Sequence, residues 1–145
     1  MAYSNKAEEE LRKLSMEMRY LEQTADALQQ RISMVNAALT DINYANMTLD
    51  GMEKEKEKTE MLVPIGGSSY VKVKLADSNK IIIGLGAGVS VEKTLPEAKT
   101  TLKERLDELE KTMHAAQQQF SQVAERINSG RSRLETLLAA REGKQ

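Results

Sequence analysis

The chain has 145 residues, enough for one ordinary domain, and its composition already excludes several classes of protein. Aromatic residues make up only 3% of the sequence and charged residues 30%, so its Leu, Ile, Val, Met and Ala suit a thin helical seam better than a rounded core. A net charge of −1 gives no general electrostatic reason to bind nucleic acid or an anionic membrane. With no Cys and one His, we expect no disulfides, thiol chemistry, Cys/His metal site or cofactor.

The N-terminal stretch MAYSNKAEEELRK lacks the apolar core of a signal peptide, and no apolar run approaches the length of a membrane span. We therefore expect a cytoplasmic protein without membrane association.

Residues 1–52 carry a heptad pattern that predicts the first helix of a coiled coil. The a positions are Leu11, Met18, Ala25, Ile32, Leu39 and Asn46, and the d positions are Leu14, Leu21, Leu28, Val35, Ile42 and Leu49. Alternating spacings of three and four place these residues on one narrow stripe, as a coiled coil requires. Gly51 offers an exit from the helix, and residues 53–60, EKEKEKTE, are predicted to be a charged linker or frayed helix end.

Residues 61–93 are rich in Val, Ile and Gly and predict two short β-hairpins. Strands are expected at 61–65, 69–75 and 80–85 and around Val89 and Val91, with turns at Gly66-Gly67-Ser68 and Gly86-Ala87-Gly88. Isolated hairpins are marginal in water, so we expect these to pair with strands of other chains. The residues assigned to this oligomerisation are Val63, Ile65, Val71, Val73, Leu75, Ile81, Ile82, Ile83, Val89 and Val91.

The glycines of the second hairpin do not form a nucleotide-binding fingerprint. Gly84, Gly86 and Gly88 follow the spacing G-x-G-x-G and are succeeded by more strand, whereas a dinucleotide site needs G-x-G-x-x-G before a helix. Turns and close backbone approach explain these glycines.

Residues 94–145 predict the second helix. Thr94 and Glu97 form a capping box at its start. Its d positions are Leu102, Leu109, Ala116, Val123, Gly130 and Leu137, and its a positions are Leu106, Met113, Phe120, Ile127 and Leu134. Gly130 is the weak seam position, where we expect the helix to loosen. The two heptad arms match in length, so they predict an antiparallel intrachain coiled coil, with Glu8 to Glu10 near Arg131, Arg133, Arg141 and Lys144.

The segments LVPIGGSSYVKVKL and KIIIGLGAGVSVEKTLPEA, placed between two heptad arms, resemble α-class subunits of the prefoldin family. The resemblance implies a mainly α fold with a small β part, in which a long antiparallel coiled coil is joined by two hairpins that assemble into an intersubunit β-barrel platform. It further implies that two α-class and four β-class subunits form a hexamer. Such a complex is an ATP-independent chaperone that captures unfolded client proteins at its coiled-coil tips and delivers them to a group II chaperonin.

The tips are the predicted client-binding region, because helix ends fray and expose apolar seam residues. The candidate residues are Leu11, Leu14, Met16, Met18, Leu134, Leu137 and Leu138; Met16 and Leu138 lie off the seam and are the better candidates. An ordinary seam explains the a and d residues equally well. We find no catalytic constellation and expect no enzyme. Two alternatives remain: a homo-oligomeric structural or filament protein of the same family, and, ranked last, a helical arm that binds nucleic acid.

Overall fold

A computed structural model describes residues 2–55 and 59–143, so part of the predicted linker and Lys144 lie outside the described residues. Along the chain, two long helices flank four strands in the order α1 (Ala2–Glu53), β1 (Glu60–Gly66), β2 (Ser69–Lys74), β3 (Ile81–Gly86), β4 (Val89–Lys93) and α2 (Leu95–Glu142). This is the predicted combination of two helical arms and two hairpins. The chain divides into a terminal unit, Met1–Ala37 with Lys111–Gln145, and a hairpin unit, Ala38–Glu110.

In the terminal unit, the two helices run antiparallel and share an apolar seam. Met18, Leu21 and Val35 of α1 and Ala116 of α2 are buried, and the other a and d residues are at least half-buried. Two ion pairs join the helices across this seam: Arg126 Nη2 lies 3.8 Å from Glu17 Oε1, and Arg133 Nη2 lies 2.8 Å from Glu10 Oε1. The second pair confirms that the predicted acidic and basic ends meet.

The prediction that α2 loosens at Gly130 is wrong. α2 continues through it without interruption, and the residue is buried in the seam. A Cβ atom at this position would overlap Met18 Sδ of α1 and would lie 3.7 Å from Leu14 Cδ1. The missing side chain is therefore replaced by Met18 from the opposite helix, which fills the space above the glycine.

In the hairpin unit, β1 pairs with β2 and β3 with β4 as two separate two-stranded antiparallel sheets. Val63 lies opposite Val71 in the first hairpin, and Ile83 lies opposite Val91 in the second. α1 continues two residues beyond Gly51, so the predicted helix exit at that glycine is displaced to Glu53. The strand β2 ends at Lys74, one residue before Leu75.

The two hairpins repeat the same backbone design at a separation of twenty positions. Gly67 and Ser68 have φ angles of 57° and 60°, and Ala87 and Gly88 have 52° and 75°, as the central pair of a type I′ turn requires, and the preceding Gly66 and Gly86 also have positive φ. The register shifts between Pro64 and Gly66 and again between Gly84 and Gly86, which leaves Ile65 and Leu85 as the extra residues of equivalent bulges.

The second hairpin is fixed to the helices of its own unit. Ile83 is 5% exposed and packs in a cluster with Leu49 of α1 and Ala98 of α2, against which Met52, Ile81 and Leu102 are also packed. Arg105 Nη2 donates a hydrogen bond of 2.7 Å to the Gly84 carbonyl, and Lys93 Nζ donates one of 3.0 Å to Thr101 Oγ1. These contacts decide which face of the hairpin is covered and which is open.

The start of α2 is held by the predicted capping box. The Glu97 amide donates to Thr94 Oγ1 and the Thr94 amide donates to Glu97 Oε2, each at 3.3 Å. The Leu95 amide donates to Asn79 Oδ1 at 3.3 Å, so the loop before β3 also satisfies a first-turn donor of the helix.

Candidate interaction surfaces

The exposed face of the second hairpin is the clearest apolar surface of the hairpin unit. Ile82 is 75% exposed, whereas Ile83 beside it is covered by the helices. Successive strand residues point to opposite faces, so both cannot be buried by one layer. Ile83 therefore holds the hairpin on its own chain, and of the three isoleucines Ile82 is the one open to another chain.

Several other residues assigned to oligomerisation are also open. Val63, Ile65, Val71 and Val89 are exposed, while Val73, Leu75, Ile81 and Val91 are half-buried. Each hairpin leaves the outer edges of its two-stranded sheet without a strand partner among the described residues. An apolar face beside free edges is suited to pairing with strands of other chains.

Three exposed apolar residues of the hairpins were missing from the predicted set: Leu62, Tyr70 and Leu85. Leu62 lies opposite Lys72, which made its face resemble a solvated one in the sequence. For Leu62 and Leu85 the signal is the twenty-residue repeat, since Leu62 corresponds to Ile82 and Leu85 corresponds to Ile65, whereas Tyr70 corresponds to Ser90. Both hairpins therefore carry apolar residues at these two equivalent positions.

The structure divides the predicted client-binding residues by their exposure. Met16 is 64% exposed and Leu138 is 44% exposed, in agreement with their positions off the seam. Leu11, Leu14, Leu134 and Leu137 are half-buried, and Met18 is 6% exposed. Of these residues only Met16 and Leu138 are exposed in the packed terminal unit, so the client-binding assignment stays a prediction.

Exposed apolar residues are more numerous on α1 than the sequence reasoning recognised. Tyr20, Met34, Tyr44 and Met47 all point away from the seam, whereas in the described part of α2 the single large exposed apolar residue is Leu138. The heptad pattern places these α1 residues at outer positions, which is the signal that could have identified them.

Lys99 forms two ion pairs in the hairpin unit. Lys99 Nζ lies 2.7 Å from Asp50 Oδ1 and 2.6 Å from Glu53 Oε2, so α2 is paired with the last turn of α1. Hydrogen bonds to Asp50 and then to Glu53 raise the pKa of Lys99 above 10.5. Among the described residues, no group of three or more His, Asp or Glu could hold a metal ion. The described helices also contain no segment both long and apolar enough to span a bilayer.

Comparison with known proteins connects this architecture to a family. A family profile described as "Prefoldin subunit" matches residues 21–140. The chain belongs to the prefoldin family. The prefoldin subunit alpha of Methanococcoides burtonii is 32% identical over 126 residues, which cover 87% of this chain and 91% of that protein. The prefoldin subunit alpha of Pyrococcus horikoshii is 35% identical over 128 residues, covering 88% and 84%.

Solved prefoldin structures have the same fold. A filamentous PFD from Methanocaldococcus jannaschii aligns with a TM-score of 0.67 at 20% identity, covering 77% of this chain and 93% of that one. The prefoldin beta subunit from Thermococcus strain KS-1 aligns with a TM-score of 0.58 at 17% identity, covering 87% and 90%. Prefoldin subunits are chaperones and not enzymes, which agrees with the expectation from sequence.

Proposed function

We propose that this prefoldin chain is a subunit of an ATP-independent chaperone that captures non-native proteins through the ends of its helices and delivers them to a group II chaperonin. The observation that carries the proposal is the exposure of Met16, in the N-terminal part of α1, and of Leu138, near the C-terminal end of α2, in a chain of this family. Methionine suits contact with many different sequences because its unbranched side chain adapts to their shapes. Several weak contacts acting together would supply the affinity.

The hairpin unit is proposed to join this chain to others, in a complex of two α-class and four β-class subunits. The support is the exposed apolar residues, Leu62 and Tyr70 on the first hairpin and Ile82 on the second, together with the outer strand edges of both sheets, which pair with no other described strand. Two-stranded sheets are marginal alone, so pairing with further strands would stabilise them. We propose that the resulting sheet closes into the barrel platform.

Client capture can be tested by removing the exposed apolar contacts without removing the helices. We expect Met16→Ser combined with Leu138→Ser to weaken suppression of the aggregation of a denatured test protein at least several-fold. Met47→Ser is the matched control, because Met47 is equally exposed on α1 but lies in the hairpin unit. Equal activity of both variants would contradict the assignment of the helix ends.

A coarser variant tests the same region. Deletion of residues 1–10 and 138–145 is expected to abolish anti-aggregation activity while the complex still assembles, because the hairpins are untouched. Sedimentation velocity reports the assembly and light scattering reports the activity. An assembled truncation with full activity would refute capture at the ends.

Assembly through the hairpins predicts that Ile82→Asp dissociates the complex, since a charge on the open face would have to be desolvated at the junction. Native mass spectrometry of the chain, with and without a co-expressed β-class subunit, measures the stoichiometry. If the variant remains hexameric, the open hairpin face is not the junction.

The second candidate function is a homo-oligomeric structural filament. The two hairpins have equivalent registers and equivalent bulges, so the hairpins of different copies of this chain could pair with each other. This candidate predicts that the purified chain alone forms long assemblies visible by electron microscopy and fails to slow aggregation of a denatured protein. Capture of clients by a closed complex would exclude it.

A further inference from the structure

The contact between Met18 and Gly130 is an unusual point in the seam of the terminal unit. Met18 is almost fully buried, and its Cγ lies 3.6 Å from the position that a Cβ of Gly130 would occupy. Every other a or d residue from Leu102 to Leu137 has a side chain of its own to place in the seam. Here α1 supplies the contact, with the flexible Met18 side chain nearest and Leu14 Cδ1 at 3.7 Å.

The helix is weak on the C-terminal side of this contact. A glycine inside a helix favours the unfolded chain relative to alanine, and helices as short as residues 131–142 are marginal once separated from a packing partner. The ion pair between Arg133 and Glu10 is about half exposed on both sides, and exposed pairs add little stability. This segment therefore depends mainly on its packing against α1.

Methionine can leave such a contact more easily than a branched side chain can. It has three rotatable bonds and no branch at Cβ, so Met18 can withdraw from above Gly130 by changing rotamer, without a shift of either backbone. Withdrawal would leave Gly130 covered on this side by the Leu14 side chain, whose Cδ1 lies 3.7 Å from the same position. Separation of the helices at this level would then expose Leu14 and Met18 of α1 together with Leu134 and Leu137 of α2.

We propose that Met18 and Gly130 form a latch: the helices separate on the terminal side of this pair, and separation supplies the apolar residues that bind a client. Gly130 and Met18 act here as positioning residues, which govern how readily Leu14, Leu134 and Leu137 become available. The inference rests on the proposed function for its client, but the opening itself is a property of the free chain. It explains how half-buried seam residues can take part in capture.

A covalent staple tests where the helices must separate. The chain contains no Cys, so paired cysteines can be bridged selectively by a short bis-maleimide. Glu10→Cys with Arg133→Cys places the staple on the terminal side of the latch, and Glu17→Cys with Arg126→Cys places the control staple on its other side. Each variant is assembled as the full complex and compared before and after bridging.

We expect the 10/133 staple to reduce suppression of aggregation at least fivefold, while the 17/126 staple leaves it within twofold of the unbridged variant. Equal activity after both staples, or equal loss after both, would overturn the latch. Absence of activity in every unbridged variant would refute the proposed function instead, and the opening is then tested without a client.

Hydrogen exchange measures that opening in the full chain. Met18→Ala, which removes the side chain above Gly130, is compared with the unsubstituted chain. We expect the loss of this packing to speed exchange of the amides of residues 131–142 about tenfold or more, while the amides of residues 111–126 change less. Unchanged exchange in residues 131–142 would overturn the latch regardless of client activity.

Discussion

At the start of α2, the side chains of Thr94 and Glu97 each accept a hydrogen bond from the other residue's backbone amide. Removal of the Thr94 hydroxyl measures how much this capping box stabilises the fold. We expect Thr94→Ala to lower the free energy of unfolding by about 1 kcal/mol, because a first-turn amide loses its acceptor. Chemical denaturation at fixed protein concentration measures the difference.

Thr100→Ala is the matched control for this prediction. Its hydroxyl donates to the Pro96 carbonyl within the helix, which is already a helical acceptor, so its loss is expected to be neutral or slightly stabilising. Equal destabilisation by both variants would mean that the capping box contributes nothing specific.

Lys99 gives a pH-dependent prediction because hydrogen bonds to Asp50 and Glu53 raise its pKa in the folded chain above the ordinary value of 10.5. A raised pKa means that the folded state holds the proton more tightly, so the stabilisation is fully present below 10.5 and is lost as pH rises through the folded pKa. Between about pH 6 and 9, which lies well below the ordinary pKa of lysine, the contribution of Lys99 to stability is therefore expected to be constant.

Comparison with Lys99→Gln isolates this contribution from other alkaline effects. Wild type is expected to melt above the variant at neutral pH, and the two melting temperatures should converge as the pH passes beyond 10.5. A constant difference through that range would show that the lysine charge is not responsible.

At the scale of elements, neighbouring residues of β3 are expected to respond differently to the same substitution. Ile83→Ala should lower the free energy of unfolding by about 2 kcal/mol at every protein concentration, because it opens a cavity between Leu49 and Ala98. Ile82→Ala removes an exposed side chain, so its effect should appear only at concentrations where chains associate. Identical concentration dependence would contradict the division of roles between the two faces.

The elements themselves follow from local patterns, which is why the sequence predicts them well. The capping box starts α2, the heptads define both seams, and Gly67-Ser68 and Ala87-Gly88 sit in the turns as expected. The covered face of the second hairpin could not be predicted, because it depends on Leu49 and Ala98, which are remote in sequence from Ile83. Strand alternation alone distinguishes two faces without saying which one a helix covers.

Gly130 shows the same limit within a helix. Its low helix preference predicts a loosened helix, whereas α2 is continuous there, because Met18 of α1 occupies the volume that the sequence leaves vacant. A seam position is judged from its own residue in a sequence, whereas in the folded unit it is filled jointly by two helices. The exposure of Tyr20 and Met34 on α1 was not predicted for a related reason, since the heptad pattern specifies the seam positions and not what the outer positions do.

At the scale of the whole molecule, the fold and family could be predicted because the two arms and the central segment each carry independent signals. The candidate interaction residues were only partly separable from the seam. Met16 and Leu138 were distinguished by heptad position, whereas exposure of Leu62 and Leu85 depends on how their hairpins are oriented. The functions proposed for this protein depend on open apolar surfaces, and such surfaces have no motif comparable to a catalytic set.

The twenty-residue equivalence of the hairpins makes the number of hairpins editable in frame. Deleting residues 67–86 joins Gly66 to Ala87 and combines β1 with β4, which keeps Val63 opposite Val91 and keeps the bulge at Ile65. We expect this shortened chain to fold with one hairpin and to retain its helical circular dichroism, with Val63 taking the place of Ile83. Loss of cooperative unfolding would contradict the equivalence. A single genetic deletion would thus convert a two-hairpin subunit into a one-hairpin subunit, with loss of the Asn79 acceptor at the start of α2.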